Sequence, residues 1–190
     1  MHFLLRNKLN TDLINKTTIF KSERSIMTLK NVDETIFQPL GLKLLHAEED
    51  KESREYSGCS FVLNGLNIKF RTSKITPTKT GQFVTIWKRN EGGETAPFDS
   101  DDPFDFYLIS ASQDDDKGIF IFPKEILVEK AILSHGNRIG KRGIRVYPGW
   151  DLTESKQAQA TQKWQTVYFI DVSQSPESYL QKAKLLFDLK

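Results

Sequence analysis

The chain has 190 residues, 38% of them apolar, and 27 Lys and Arg against 25 Asp and Glu give a formal net charge of +2. That length supports one real core with room for an appendage. The single cysteine, Cys59, excludes an internal disulfide, and with His2, His46 and His135 as the only histidines no Cys/His cluster has zinc spacing. No apolar run approaches the roughly 18 residues of a membrane span, and the MHFLL start is too short for a signal-peptide core. The expectation is a cytoplasmic protein with no membrane partner.

In chain order, residues 1–26 carry an excess of Lys and Arg, no glycine or proline and no sustained periodicity. They read as a poorly structured extension ahead of a single α/β domain over 27–190. From Val32 to Leu45 the apolar residues are interrupted by Pro39 and Gly41, which predicts a short helix broken at Gln38 and then a second short segment. Glu48 to Glu55 reads as a charged helical stretch ending near Tyr56-Ser57-Gly58. Asn64-Gly65 is a two-residue hairpin signal between strands at Ser60–Leu63 and Leu66–Ser73. Gln82–Arg89 is expected as an interior strand, entered through turn formers at 76–81. Asp105–Ala111, Gly118–Phe122 and Arg142–Tyr147 are further strand candidates.

The period then switches. The string DLTE at 151–154 fits a capping box and predicts a helix to about Trp164, followed by a returning strand over Thr166–Val172. Ser175-Pro176-Glu177 sets an N-cap with proline at the first helical position. The final helix places Tyr179, Leu180, Ala183, Leu186 and Phe187 on one face. The fold class expected from these elements is α+β: a mixed, mainly antiparallel sheet flanked by helices. Cys59, Trp87, Trp150 and Trp164 are expected in the core, and His46 and His135 in structural or exposed positions.

Charge is segregated along the chain. RTSKITPTKTGQFVTIWKR at 71–89 and HGNRIGKRGIRVYPGW at 135–150 are basic and free of acids, whereas Glu91 to Asp116 holds nine acids and no Lys or Arg. Cations interleaved with hydroxyls and an aromatic suit a phosphate backbone. The residues expected to contact it are Arg71, Lys74, Thr76, Thr78, Lys79, Lys88, Arg89, Arg142 and Arg145. Lys88 and Arg89 also fit a charged strand end that pairs with the acidic segment. Lys74, Lys79, Lys88, Arg89, Arg142 and Arg145 are expected on one surface, because like-charge clusters are costly without a partner. Asp99, Asp101 and Asp102 are expected in solvent.

The strings PLGL (39–42), EYSGCSF (55–61), FRTSKITPTKTGQFVTIWKR (70–89), IFPKEIL (121–127) and RVYPGWD (145–151) resemble the MepB family, small bacterial proteins named from a multidrug-efflux operon, over roughly Asp33 to Phe169. The element order is also similar to the PD-(D/E)xK nuclease-like superfamily. The resemblance implies a restriction-endonuclease-like core and nucleic-acid binding.

Such a nuclease needs one acid at a strand start, then an acid and a lysine two apart on the neighbouring strand, sharing a face where carboxylates hold a magnesium ion. Asp105 fits the first position and is the residue to test for a metal, and Lys124 fits the lysine. Phe122 stands where the second acid belongs, so no catalytic set is assigned; Glu55, Asp105 and Lys124 are the residues to test. Three readings follow: a nucleic-acid-binding protein without catalysis, DNA ahead of RNA and without a cofactor; a metal-dependent nuclease using Mg2+; or a module for another anion or a protein.

Overall fold

A computed structural model describes residues 27–189, and the expected extension over 1–26 lies outside them. The centre is a six-stranded sheet. From one edge to the other its strands are β1 Leu44–Glu49, β2 Cys59–Leu63, β3 Leu66–Thr72, β8 Phe106–Gln113, β9 Asp116–Pro123 and β11 Phe169–Asp171. Only β3 and β8 pair in parallel; the other four pairings are antiparallel. A second sheet places β5 (Lys79–Thr85) between β10 (Gly143–Val146) and β4 (Lys74–Thr76), and β6 (Trp87–Arg89) with β7 (Thr95–Pro97) forms a two-stranded ribbon.

Alternation divides the central sheet into two apolar faces. Phe61, Leu63, Ile68, Phe70, Leu108, Ile119, Ile121 and Ile170 form one core with Val32, Ile36 and Phe37 of the N-terminal helical run and Ala183 and Phe187 at the C-terminus. Tyr107, Ile109, Ala111, Phe120, Phe122 and Phe169 form the other, beneath Val84, Ile144 and Val146 of the small sheet, Ile86 just beyond it, and the helix Lys124–Glu129 (α2). The inner strands β8 and β9 read as nearly continuous apolar runs because helices or sheet cover both of their sides. Among the described residues no helix is long and apolar enough to cross a membrane.

The Asn64-Gly65 turn forms as expected, with φ of 48° and 86°, both in the region a type I′ hairpin requires. The Asn64 side chain also accepts from the Lys43 amide at 2.8 Å, fastening the start of β1 to the turn. The first helix (α1, Leu29–Val32) continues through a π-helical turn at Asp33–Phe37 and closes as a 3-10 turn at Gln38–Leu40. The break expected at Gln38 therefore moves to Gly41, because Pro39 sits in the first turn of the 3-10 segment, where a missing N–H costs nothing. Residues 44–49, partly assigned to a charged helix by the sequence, form the edge strand β1. That strand kinks between Leu45 and Glu48, with His46 at φ 54°. The helical part of that stretch is a 3-10 turn over Lys51–Tyr56.

Gln82–Arg89 is not one strand. The chain leaves the small sheet at Ile86, whose amide donates to the Arg142 carbonyl at 2.9 Å, and β6 then pairs with β7 alone. The helix α3 runs Lys156–Gln165 and is capped by Ser155, whose hydroxyl accepts from the Ala158 amide at 3.1 Å, so 151–154 is a lead-in rather than a capping box. Thr166–Tyr168 is a 3-10 turn before the short β11. Ser175 caps α4, Pro176–Leu186, as expected. Trp150 and Trp164 are half-buried against the second core.

Candidate nucleic-acid interface

Across the small sheet, Lys74 of β4 and Arg145 of β10 both sit opposite Phe83 of β5, so the three side chains share one face. Phe83 meets Tyr56 edge-on, with centroids 6.4 Å apart, and the Lys74 ammonium lies 4.5 Å from the Tyr56 centroid. Trp87, expected in the core, is half-buried instead, with the Arg89 guanidinium over its ring at 5.3 Å. Tyr56 was missed because its 3-10 turn reaches this face only in the folded chain.

Arg145 organises the turn that carries Lys79. Its Nη1 donates to the carbonyls of Lys79, Thr80 and Gly81 at 3.2, 3.3 and 2.8 Å, and its Nη2 donates to Thr76 Oγ1 at 2.8 Å. Gly81, at φ 82°, lets the backbone close against the Tyr147 ring, which a Cβ would meet at 2.6 Å. Thr78 stands at the exposed tip. A second basic corner forms where Arg142 Nε donates to the Thr95 carbonyl at 3.0 Å and Arg89 pairs in register with Thr95.

Two of the expected contacts do not belong to this surface. Arg71 is only 2% exposed: alternation turns it and Lys69 inward on β3, where Arg71 Nη1 meets Asp50 Oδ2 at 2.5 Å and the guanidinium lies 6.0 Å from the Tyr107 centroid. Lys88, adjacent to Arg89 and hence on the opposite side of β6, pairs with Asp102. Asp102 is half-buried, contrary to its expected exposure, and Lys124 Nζ donates to its carbonyl at 2.5 Å. Asp99 is half-buried as well, its carboxylate accepting from the Asp101 amide at 3.1 Å.

The cluster around half-buried Asp50 was not among the expected sites. Lys69 Nζ donates to Ser60 Oγ at 2.8 Å and lies 3.7 Å from Asp50 Oδ1, to which Ser60 donates at 2.9 Å. Burial alone would raise the Asp50 carboxyl; the charges of Arg71 and Lys69 and the hydrogen bonds from Arg71 and Ser60 outweigh it and hold the group below its ordinary value. Burial pushes the neighbouring Cys59 thiol up to about 12, which removes it from nucleophilic chemistry at neutral pH.

The nuclease set does not assemble. The Asp105 carboxylate accepts from the Asn67 amide at 2.7 Å at the start of β3. Lys124 approaches Asp105 through its backbone amide, at 2.9 Å, but points its ammonium at Asp102. Glu55, 84% exposed, pairs with Lys74 at 3.6 Å beyond the far end of β3. Phe122 is fully buried, stacked on Phe120 and packed on Trp164. Among the described residues no group of three or more His, Cys, Asp or Glu side chains is placed to hold a metal.

The MepB-like family model matches residues 50–171. A crystal structure of MepB superposes with a TM-score of 0.68 at 35% identity, over 70% of this chain and 89% of that one. A bacterial homing endonuclease superposes with a TM-score of 0.39 at 15% identity, over 78% of this chain and 85% of that one. None of the curated proteins matches. The matched span runs from Asp50, the acid of the buried cluster, to the last residue of β11, and so takes in every strand but β1: the chain belongs to the MepB-like family.

Proposed function

We propose that this protein binds nucleic acid, DNA ahead of RNA, in the cytoplasm, on a nuclease-like scaffold that does not cut. The observation that carries this reading is the register of Lys74, Phe83 and Arg145 across three strands, with Tyr56 against Phe83 and Lys79 at the adjoining turn. Cations beside half-buried aromatic rings match the chemistry of a phosphate backbone with unstacked bases. The exposed Lys74–Glu55 pair offers little competition, since such pairs contribute about 0–1 kcal/mol.

The placement of the acids supports the reading that it does not cut. Asp50, which lies beside a lysine on a hairpin as a nuclease acid would, is already neutralised by Arg71 and Lys69. Asp105 is engaged with backbone, and Phe122 fills the remaining place.

Fluorescence anisotropy with single- and double-stranded oligonucleotides over a salt series tests the reading. The expected result is salt-dependent binding whose log–log slope falls by up to about two when Lys74 and Lys79 are both changed to Gln, one for each phosphate that is no longer neutralised. No binding at low salt would refute it. Magnesium-dependent cleavage abolished by Asp105→Ala would replace it with a nuclease.

A further inference from the structure

Beside the β10 edge of the small sheet lies a cleft of about 690 Å³ walled by β10, the segment after α2 and the length of α3 from Gln157 to Gln165. Lys79, Lys130, Lys141 and Arg145 line it against one acid, Glu154; Arg145, whose terminal nitrogens are taken by the Lys79–Gly81 carbonyls and Thr76, adds charge there and the three lysines supply the donors. The four cations come from three separate stretches of the chain, and neither Lys130 nor Lys141 is among the residues that define the surface above. Among the described residues no carboxylate lies within 4.0 Å of Lys79 or Lys141. Lys130 shares its ammonium with the exposed Glu129 at 2.7 Å.

We propose that this cleft seats the terminal phosphomonoester of a nucleic-acid strand, an inference that rests on the nucleic-acid reading. A backbone diester carries one charge per phosphate and is matched by cations in a row. A phosphomonoester carries about −1.5 to −2 and three acceptor oxygens, and is matched by cations gathered around a hollow. The volume is within the roughly 300–1,000 Å³ of small-ligand sites, large enough for one terminal nucleotide. The ten-residue α3 begins at the cleft, with Ser155 and Gln157 in its wall, so its N-terminal amides add partial positive charge on that side. Arg145 belongs to both the cleft and the Lys74–Phe83 face, and Lys79, which also lines the cleft, stands at the adjoining turn. A strand lying on that face therefore has its end within reach of the hollow.

The test is anisotropy competition on the full chain, at fixed salt, among three versions of one short single-stranded oligonucleotide: 5′-phosphorylated, 3′-phosphorylated and hydroxyl at both ends. One phosphorylated version is expected to compete about ten-fold more strongly than the hydroxyl version. In Lys130→Gln/Lys141→Gln that preference should disappear while the hydroxyl-ended affinity stays within about two-fold, and Glu154→Gln should enlarge it. Equal competition by all three versions, or a preference that survives the double change, overturns the inference and leaves nucleic-acid binding standing. Failure of every version to bind overturns both.

Discussion

Asp50 and Asp151 are both half-buried aspartates with an arginine nearby, and they titrate in opposite directions. Asp50 is held below its ordinary value because Arg71, Lys69 and Ser60 all act on the carboxylate itself. Asp151 is pushed up to about 6 by burial, which the charge of Arg145 only partly opposes, and its Oδ2 has no hydrogen-bond partner. The difference lies in what each guanidinium is bonded to. Arg71 donates to its aspartate, whereas Arg145 has committed both terminal nitrogens to three carbonyls and Thr76. Proximity to a cation is thus not pairing: a fork already used elsewhere leaves a neighbouring acid under-compensated.

The contrast breaks most sharply at Arg71. Arg71→Met strands the Asp50 carboxylate, and the expected loss is about 3–5 kcal/mol, seen as a lower urea midpoint with an unchanged slope. Asp50→Asn in the same chain should recover part of it. A neutral Arg71→Met would mean that Lys69 and Ser60 suffice. Next in size is Arg145→Ala, which strips the donor from the Lys79–Gly81 turn at an expected cost of about 1–3 kcal/mol. It should also move the Asp151 carboxyl higher still, which carbon-detected NMR titration would follow; an unmoved carboxyl would show that Arg145 does not act on it.

The smallest effect is the most diagnostic. Because the folded Asp151 carboxyl titrates near 6 against an ordinary 3.8, the folded chain holds this proton more tightly. Its contribution is therefore full below about pH 4 and is lost as pH rises through about 6. Asp151→Asn should flatten that limb of the stability–pH curve, gaining on the order of 1 kcal/mol at pH 7.5 and nothing at pH 4. Asp50 runs the other way: its contribution is full above the ordinary carboxylate range and is lost as pH falls through its lowered folded value. Thermal melts of Asp151→Asn across pH 4–8 that parallel the parent chain would dissolve the contrast.

Elements with local signals were legible in the sequence. The Asn64-Gly65 turn, the apolar runs of β8 and β9 and the Ser175-Pro176 cap each depend on residues within a few positions of one another. The candidate site was only half legible. Lys74, Lys79 and Arg145 stand out as unopposed cations in the string, and cross-strand register then sets them beside Phe83. The fate of Arg71 depends on Asp50, which no spacing rule links to it. One signal was present: in LNIKFRT, Lys69 and Arg71 alternate with Ile68 and Phe70, so a strand covered on both sides must supply those two cations with partners. Lys88 was similarly open, since whether it turns to phosphate or to Asp102 depends on where β6 leaves the small sheet.

The kink in β1 bears on how the molecule behaves in a crowded solution. An edge strand is a ready template for a second chain, and a straight one invites sheet-to-sheet addition. Here the register shifts between Leu45 and Glu48, His46 turns the backbone to positive φ, and the strand continues into Glu48 and Glu49. The ladder is thereby interrupted midway and closed by two like charges. An added strand would find neither a continuous row of partners nor a neutral approach, which disfavours edge-to-edge aggregation on this side of the sheet.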